Sequence, residues 1–522
     1  MSRTKFPVKL EQNDVLYFLH IPKTAGTTFT SVLDSFFDYQ SIFPEQVYRK
    51  LILDLPEDFT KYKLIRGHFG HTIYKIIPQN ILYLTMLRDP IQRTISYYDH
   101  MKLAPTTNNW VHENFLSEIE TSDSALQDPK KIPVFTNYQI RHLAVDLDIR
   151  SIAQYYKMNK RAFFFDTVEE FIHPDISDEL LLQTAKQRLL EFSFFGLVER
   201  FEESLFLLYY TFGWKPIRSI WNLMVAPRKT SMHDISEHTM KIIKEYTKLD
   251  YELYEYAKEL FEQRLFQMMD DLKERYYKPN LDKLSFREMM YVLLEKHYEE
   301  HFDYHYENST SSINFDFSQK MFGTGWFRRE INDAAKKFYR WTGPTTISTI
   351  DLPLSPESDL RIQLRIIGQA SIEIRDSLRL LINGVSMESL FLVQNIHNPI
   401  YPDITPLIIE TIVSKESLKN DKKFTQLTLM IKDTLNLRSL NPGYENREVG
   451  IALDKITIIP IVSAEYEKNV KGRISRYYTE YLRRKPDFEG LEYYFAQIMN
   501  GIIKLEDMPQ ILQDSSEFRN IR

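Results

Sequence analysis

The residues best suited to chemistry follow the first apolar run of the chain. Val15–His20 (VLYFLH) is typical of a buried strand and leads into the segment IPKTAGTT, in which a helix is predicted to begin. The N-terminus of a helix offers unpaired backbone N–H groups and the positive end of a dipole, which together bind anionic oxygens. Gly26 permits a close backbone approach, Lys23 adds a positive charge, and Thr27 and Thr28 add hydroxyl donors. The alternative is an ordinary strand-to-helix turn that carries a surface lysine.

A second basic motif follows another predicted strand. Ile81–Leu87 (ILYLTML) runs into Arg88, Asp89 and Pro90, and the helix that begins there carries Ser96. Parallel sheets bind ligands where their strands end. An arginine at that point can make a bidentate contact with a phosphate, and a serine hydroxyl can donate to it. The alternative is an Arg88–Asp89 ion pair that only caps the helix.

Together the two motifs resemble those of the sulfotransferase family that includes heparan sulfate 2-O- and 6-O-sulfotransferases. PKTAGTTF is similar to the family's 5′-phosphosulfate loop, and LRDPIQRTISYYDH is similar to its 3′-phosphate motif. The resemblance continues through FGLVERFEESLFLLYYTFGW and LDYELYEYAKELF, and so covers residues 14–266. It implies an α/β fold with a Rossmann-like, P-loop-type parallel sheet that binds 3′-phosphoadenosine 5′-phosphosulfate (PAPS).

The resemblance also implies which side chains hold that nucleotide. Matched by position, the contacts to the 5′-phosphosulfate are Lys23, Thr24, Ala25, Gly26, Thr27 and Thr28, and those to the 3′-phosphate are Arg88 and Ser96. Relatives often carry a loop with asparagine and lysine after the helical half, where this chain has APRKTS. That departure leaves Lys229 open as a contact.

Sulfuryl transfer to a carbohydrate hydroxyl, the reaction that the resemblance implies, needs a base and a stabilised leaving group. Lys23, beside the anhydride, suits the leaving group, and positioned charge can do this without a metal. His68 lies between the two motifs, and an imidazole suits proton abstraction near neutral pH. Gly67-His68 also matches a Gly-His pair that carries the base in relatives of the 2-O type. His71, His100 or a carboxylate are the alternatives, and a structural role for His68 also stays open.

Composition excludes several other classes of protein. The chain has 522 residues and a net charge of −6, which argues against a protein that coats nucleic acid. It has no cysteine, so disulfides, thiol catalysis and Cys-ligated zinc are excluded. No apolar run reaches the length of a membrane span, and the first residues lack the pattern of a secretory signal. We therefore expect a cytoplasmic protein; nothing in the sequence indicates its oligomeric state.

Changes in the hydrophobic pattern along the chain predict four parts. They are a sulfotransferase domain at residues 1–275, a helical linker at 276–312, a β-sandwich accessory domain at 313–466 and a small helical domain at 467–522. Strict alternation in LRIQLRI and an Asn383-Gly384 turn favour antiparallel strands in the third part. The last part resembles a small helical domain of unknown function that occurs in bacterial surface-layer-associated proteins, which suggests a bacterial source.

Two other functions compete with sulfuryl transfer. A P-loop-type kinase is disfavoured because the GxxxxGK[ST] pattern is missing and no strand ends in an obvious Mg²⁺-binding carboxylate. A non-catalytic glycan-binding or scaffold protein with a vestigial nucleotide fold is the second rival. The joint presence of Lys23, His68, Arg88 and Ser96 argues against such decay.

Overall fold

A computed structural model shows how these segments fold. It describes residues 6–47, 56–102, 126–127, 135–146, 176–218, 230, 234–306, 309–332, 336–354, 358–393, 400, 405–440, 443, 445–462, 464–499 and 503–521. The chain divides into two compact units, Met1–Pro216 with Trp221–Tyr298, and Ile217–Ile220 with Glu299–Arg522.

The first unit is built on a four-stranded parallel sheet. Its strands are β1 (Asp14–Leu19), β2 (Leu64–Gly67), β3 (Asn80–Leu87) and β4 (Phe194–Leu197). Five of the six residues of β1 are buried, as expected for a central parallel strand that is covered on both faces. The predicted parallel α/β sheet is thus confirmed.

The strand order places the two predicted phosphate motifs side by side. The order is β2-β1-β3-β4, so the chain moves from β1 to one side for β2 and returns to the other side for β3. This reversal opens a crevice beyond the carboxyl ends of β1 and β3, where parallel sheets bind ligands. The hydroxyl of Thr85 on β3 donates to the carbonyl of Leu19 on β1 at 2.9 Å and ties these two strand ends together.

Helices account for most of the remaining described residues around this sheet. They are α1 (Gly26–Ser35), α2 (Pro90–Lys102), α3 (Tyr138–Ala144), α4 (Asp178–Glu191), α5 (Phe201–Phe212), α6 (Glu237–Tyr246), α7 (Lys248–Tyr276) and α8 (Phe286–Glu300). The hydrophobic pattern from Leu180 to Met269 is almost wholly helical, but this stretch also contains the strand β4. The pattern of residues 280–308 predicts one helix, and this prediction is wrong. There the helix α8 is flanked by short 3₁₀ turns at Pro279–Lys283 and Phe302–Tyr304.

The second unit contains two large antiparallel sheets, which confirms the predicted strand type. Its strands are β5 (Ile313–Asp316), β6 (Gly323–Thr324), β7 (Glu330–Asn332), β8 (Lys337–Trp341), β9 (Ile347–Leu352), β10 (Leu360–Gln369), β11 (Arg379–Ile382), β12 (Val385–Met387), β13 (Leu390–Val393), β14 (Leu407–Val413), β15 (Thr425–Met430), β16 (Leu435–Asn436), β17 (Glu448–Val449) and β18 (Ile451–Pro460). The larger sheet runs β13-β14-β10-β18-β8-β7 with β5 on β18, the other runs β12-β11-β15-β9-β6, and β16 pairs only with β17. Their packing as a sandwich remains a prediction, as does the four-part division.

The predicted hairpin turn lies where the sequence indicated it. Asn383 (φ 49°) and Gly384 (φ 83°) join β11 to β12, which pair antiparallel. Positive φ at both central residues is the conformation that Asn-Gly favours in two-residue hairpins.

Short helices connect some strands, and longer ones form the C-terminal segment. The short ones are α9 (Ile372–Asp376), α10 (Lys415–Leu418) and α11 (Leu437–Leu440). The C-terminal ones are α12 (Ala464–Leu482), α13 (Phe488–Met499), α14 (Met508–Asp514) and α15 (Ser516–Ile521), which share an apolar core with Ile459 of β18.

A buried ion pair fastens the centre of the larger antiparallel sheet. Arg365 on β10 donates to both carboxylate oxygens of Asp454 on β18, at 2.8 and 2.6 Å, and both side chains are buried. A third bond joins Arg365 to Glu489 of α13. Removal of one partner of such a pair leaves an uncompensated charge in a low-dielectric interior.

We therefore expect Asp454→Ala to lower the free energy of unfolding by about 3–5 kcal/mol. The measurement is chemical denaturation of the full chain followed by circular dichroism. Glu517→Ala is the matched control, because it removes the exposed pair with Arg484 and should cost less than about 1 kcal/mol. Equal effects of the two substitutions would show that burial does not strengthen the dependence on Asp454.

Candidate functional site

The predicted phosphate loop is a tight turn between β1 and α1. Lys23 (φ 71°) and Ala25 (φ 59°) both adopt the left-handed backbone conformation. The hydroxyl of Thr24 is buried and donates to the carbonyl of Ile21 at 2.8 Å, which pins the turn from inside. The helical ladder starts with the N–H of Phe29, which donates to the Ala25 carbonyl at 3.1 Å. The N–H groups of the first turn of α1 therefore lie outside the ladder, the arrangement that binds anions.

Gly26 is required at the start of α1 because an imidazole fills the space beside it. A Cβ atom at Gly26 would lie 1.7 Å from Nε2 of His20, closer than two non-bonded atoms can approach. The chain therefore fits the ring of His20, at the end of β1, against the glycine of the loop. Sequence reasoning missed His20, although its place directly before the loop was a visible signal.

Arg88 connects the second motif to the first. It follows β3, and its Nη1 donates to the backbone carbonyl of Lys23 at 3.1 Å. Its Nε is buried and has no hydrogen-bond partner among the described residues. The two regions that the sequence predicted to bind two phosphates therefore meet in one place.

Lys23 and Arg88 are two cations without an ion-paired carboxylate among the described residues. Burial and then the charge of Arg88 lower the pKa of the Lys23 amine, while Asp99 acts in the opposite direction. Burial likewise lowers the pKa of Arg88. Two partly buried cations held together in this way fit an anionic ligand, and an orphaned guanidinium N–H fits a phosphate oxygen.

The helix α2 supplies further polar groups. Ser96 lies half-buried on this helix, and Thr27 of the first motif is exposed on α1. One turn further along α2, the carboxylate of Asp99 accepts from the backbone N–H and the hydroxyl of Thr230, at 2.9 and 2.5 Å. Thr230 belongs to the APRKTS segment, whereas Lys229 lies outside the described residues.

His68 follows β2 and is held by the backbone of His20. Its Nδ1 lies 2.7 Å from the His20 carbonyl, and the two rings are 4.4 Å apart. A carbonyl can only accept, so in neutral His68 the proton is assigned to Nδ1 and the lone pair to Nε2. Burial lowers the pKa of His68, although this hydrogen bond acts against the shift. Near pH 7 the ring is therefore neutral, with Nε2 able to accept a proton.

A third histidine, also missed from the sequence, completes the cluster. His142 on α3 is buried, and its Nδ1 lies 2.9 Å from the carbonyl of Tyr138. Burial, with a further contribution from the charge of His68, lowers its pKa to about 3. Burial and then the charges of His68, His142 and Lys23 also lower the pKa of His20. All three imidazoles are therefore neutral near pH 7.

The two alternative histidines have different surroundings. His71 stacks on Tyr83 at 4.7 Å, and its Nδ1 lies 3.5 Å from Asp146, which also binds Arg188 at 3.0 Å. Its imidazole is thus engaged in a separate structural cluster. His100 is exposed on α2, where desolvation and then the charge of Lys23 lower its pKa. The geometry favours His68 over His71 as a base and leaves His100 as the competing candidate.

The described residues lack two further features. They contain no group of three or more histidine, aspartate or glutamate side chains arranged to hold a metal ion. None of their helices combines the length and the hydrophobicity that a membrane span requires.

Known proteins match this chain in two places. The sulfotransferase family model matches residues 7–257, and the model of a domain of unknown function, DUF4214, matches residues 461–521. The first match covers slightly less than half of the chain and shows the class that it resembles: residues 7–257 are similar to the sulfotransferase family. Both resemblances predicted from the motifs are confirmed.

Three relatives that match this chain are heparan-sulfate 6-O-sulfotransferases. Heparan-sulfate 6-O-sulfotransferase 3 of Mus musculus is 26% identical over 300 residues, which cover 49% of this chain and 59% of the relative. Heparan-sulfate 6-O-sulfotransferase 1 of Cricetulus griseus is 30% identical over 212 residues, 38% of this chain and 48% of the relative. Heparan-sulfate 6-O-sulfotransferase 1-B of Danio rerio is 27% identical over 323 residues, 52% of this chain and 72% of the relative. The chain spans about half to three fifths of the length of the first two.

The contact between Gly26 and His20 generates a prediction about binding. In Gly26→Ala the new Cβ displaces either the His20 ring or the loop, so affinity for adenosine 3′,5′-bisphosphate should fall at least about tenfold, or 1.4 kcal/mol. Adding His20→Ala should restore part of that loss, because it vacates the space. Isothermal titration calorimetry measures both changes.

Gly472→Ala provides the control for this experiment. Nothing lies within 4 Å of a Cβ atom at Gly472 on α12, so binding should be unchanged. Wild-type affinity in Gly26→Ala would mean that the loop does not depend on this close approach.

Proposed function

We propose that the first unit is a PAPS-dependent sulfotransferase that transfers a sulfuryl group to a hydroxyl of a carbohydrate. The observation that carries the proposal is the hydrogen bond from Arg88 Nη1 to the Lys23 carbonyl at 3.1 Å. It joins the loop after β1 to the motif after β3, so that one ligand can reach both. A nucleotide with a 5′-phosphosulfate and a separate 3′-phosphate matches this pair of cationic regions. The names of the relatives, heparan-sulfate 6-O-sulfotransferases, support a carbohydrate acceptor.

The residues divide between the two ends of such a nucleotide. The first turn of α1 with Lys23, Thr24, Ala25, Gly26, Thr27 and Thr28 would hold the 5′-phosphosulfate, and Arg88 with Ser96 would hold the 3′-phosphate. When bound, PAPS supplies the sulfuryl group, and the bond that breaks joins its sulfur to the 5′-phosphate oxygen. Lys23 would stabilise the negative charge that develops on that oxygen. Because its amine has no ion pair among the described residues, it can turn to the anion without breaking one.

His68 would take the proton of the acceptor hydroxyl at Nε2. The carbonyl of His20 holds Nδ1–H and so keeps the accepting nitrogen free for the substrate. The same hydrogen bond stabilises the imidazolium that forms when the proton arrives. The hydroxyl oxygen then forms the new bond to sulfur, and 3′-phosphoadenosine 5′-phosphate leaves.

The remaining parts of the chain take supporting roles in this proposal. The antiparallel sheets would engage the acceptor, and a second contact surface of this kind raises the effective concentration of a polymeric glycan. The C-terminal helices would serve assembly or tethering. We place the reaction in the cytoplasm of a bacterium, in line with the absence of cysteine.

Labelled sulfate transfer tests both the function and the base. With PAPS and a panel of glycans, wild-type protein should label at least one polymer, and His68→Asn should lower the rate by about 10²–10⁴. Binding of adenosine 3′,5′-bisphosphate should be unchanged, since His68 acts on the acceptor. The wild-type kcat/KM should fall as the pH drops through the pKa of His68, because an imidazolium cannot accept a proton. Burial lowers that pKa, so the fall should begin below the ordinary histidine value of about 6.5.

His71→Asn is the matched control and should retain transfer, because His71 belongs to the Asp146 cluster. Normal turnover with an unaltered pH profile in His68→Asn would assign the base to His100 or a carboxylate. Failure of wild-type protein to transfer sulfate to any glycan while it binds the bisphosphate would favour the scaffold alternative.

Lys23→Met should separate catalysis from binding. If Lys23 stabilises charge that exists only in the transition state, kcat should fall by about 10²–10³ while affinity for the bisphosphate falls much less. Lys75→Met, at an exposed lysine of the same unit, is the control. An equal loss in kcat and in bisphosphate affinity would make Lys23 a binding residue only.

A further inference from the structure

The side chain of Gln139 is bonded to the backbone of Arg88. Its Oε1 accepts from the Arg88 N–H at 2.9 Å, and its Nε2 donates to the Arg88 carbonyl at 2.7 Å. Gln139 is only 1% exposed, so these bonds are made away from water. The side-chain amide thus exchanges two hydrogen bonds with the backbone of Arg88, as a residue of a neighbouring β-strand would. Among side chains of this length only an amide offers both a donor and an acceptor for such a pair.

Gln139 is held in place because the first turns of the helices α3 and α7 cap each other. The carboxylate of Asp250 on α7 accepts from the backbone N–H groups of Gln139 and Ile140 on α3, at 3.1 and 2.8 Å. In return, the side-chain oxygen of Asn137 accepts from the N–H of Leu249 at 3.0 Å, at the start of α7. Each helix start therefore satisfies donors of the other, and the position of Gln139 is set by α7.

The next residue is held in a similar way from another direction. The N–H of Asp89 donates to Glu199 at 3.0 Å, from the turn that follows β4. Beyond it, Pro90 has no N–H and starts α2. The short link between β3 and α2 thus obtains its backbone partners from side chains of other elements.

We propose that Gln139 is a positioning residue that aims the guanidinium of Arg88 at the 3′-phosphate without touching the nucleotide. This inference rests on the proposed function, because it assigns Arg88 to that phosphate. If the Arg88 backbone is released, the guanidinium loses the direction that lets Nη1 reach Lys23 and leaves Nε for a ligand. The specific consequence is a loss of discrimination between nucleotides with and without a 3′-phosphate.

The test compares the dissociation constants of adenosine 5′-monophosphate and adenosine 3′,5′-bisphosphate, measured on the full chain by calorimetry. Gln139→Ala removes both bonds, and Gln139→Glu keeps the size but turns an acceptor towards the Arg88 carbonyl. The preference for the bisphosphate is the dissociation constant of the monophosphate divided by that of the bisphosphate. Each variant should lower this ratio about tenfold, so that it approaches the ratio of Arg88→Ala. Adding Gln139→Ala to Arg88→Ala should change the ratio less than about twofold, because the two act through one contact.

Gln183→Ala, at an exposed glutamine of α4, should keep the wild-type ratio. If both Gln139 variants keep that ratio while Arg88→Ala loses it, the inference is overturned and the proposed function stands. A uniform loss for both nucleotides, with a lower melting temperature and an unchanged ratio, also overturns it and makes Gln139 only a structural residue. A wild-type chain that does not prefer the bisphosphate overturns the proposed function, and this inference with it. If Gln139→Ala does not fold, Gln139→Glu decides between these outcomes.

Discussion

The candidate site depends on the hydrogen bond between the Arg88 guanidinium and the Lys23 carbonyl. Each of these residues follows a different strand, and the parallel pairing of β1 with β3 brings the two strand ends together. The bond then fixes a side chain of one motif on the backbone of the other. Its cost is that two cations lie partly buried, and burial lowers the pKa of both, while the charge of Arg88 lowers the pKa of Lys23 further. A ligand with two separate anionic groups would offset that cost, because the two cations are already held in place before it binds.

A second constraint concerns the space around Gly26. The ring of His20 occupies the position of the missing side chain, and the carbonyl of His20 orients His68. One residue at the end of β1 therefore contacts both the loop that would bind the donor and the imidazole that would activate the acceptor. This explains physically why the loop and His68 lie close together, although Gly26 and His68 are 42 positions apart in the chain.

The sequence allowed some of this to be predicted and not the rest. The parallel strands are contiguous apolar segments, so their residue types and spacing were sufficient to predict them. The hydrogen bonds that link Arg88 through Gln139 to Asp250 could not be predicted. They join residues 51 and 111 positions apart through polar side chains that follow no periodic pattern. The strand β4 was missed because FFGL, four buried residues between two helices, has no alternation that separates it from a helix. His20 ends the quoted segment VLYFLH, but its role and that of His142 arise only from packing.

A crystal structure of the full chain with adenosine 3′,5′-bisphosphate tests the central claim most directly. The account predicts the 5′-phosphate at the first turn of α1, within reach of Lys23 and Thr27. It predicts the 3′-phosphate on Arg88 and Ser96, with the Arg88–Lys23 and Arg88–Gln139 hydrogen bonds intact. A bisphosphate bound elsewhere, or bound with its 3′-phosphate away from Arg88, would contradict the account.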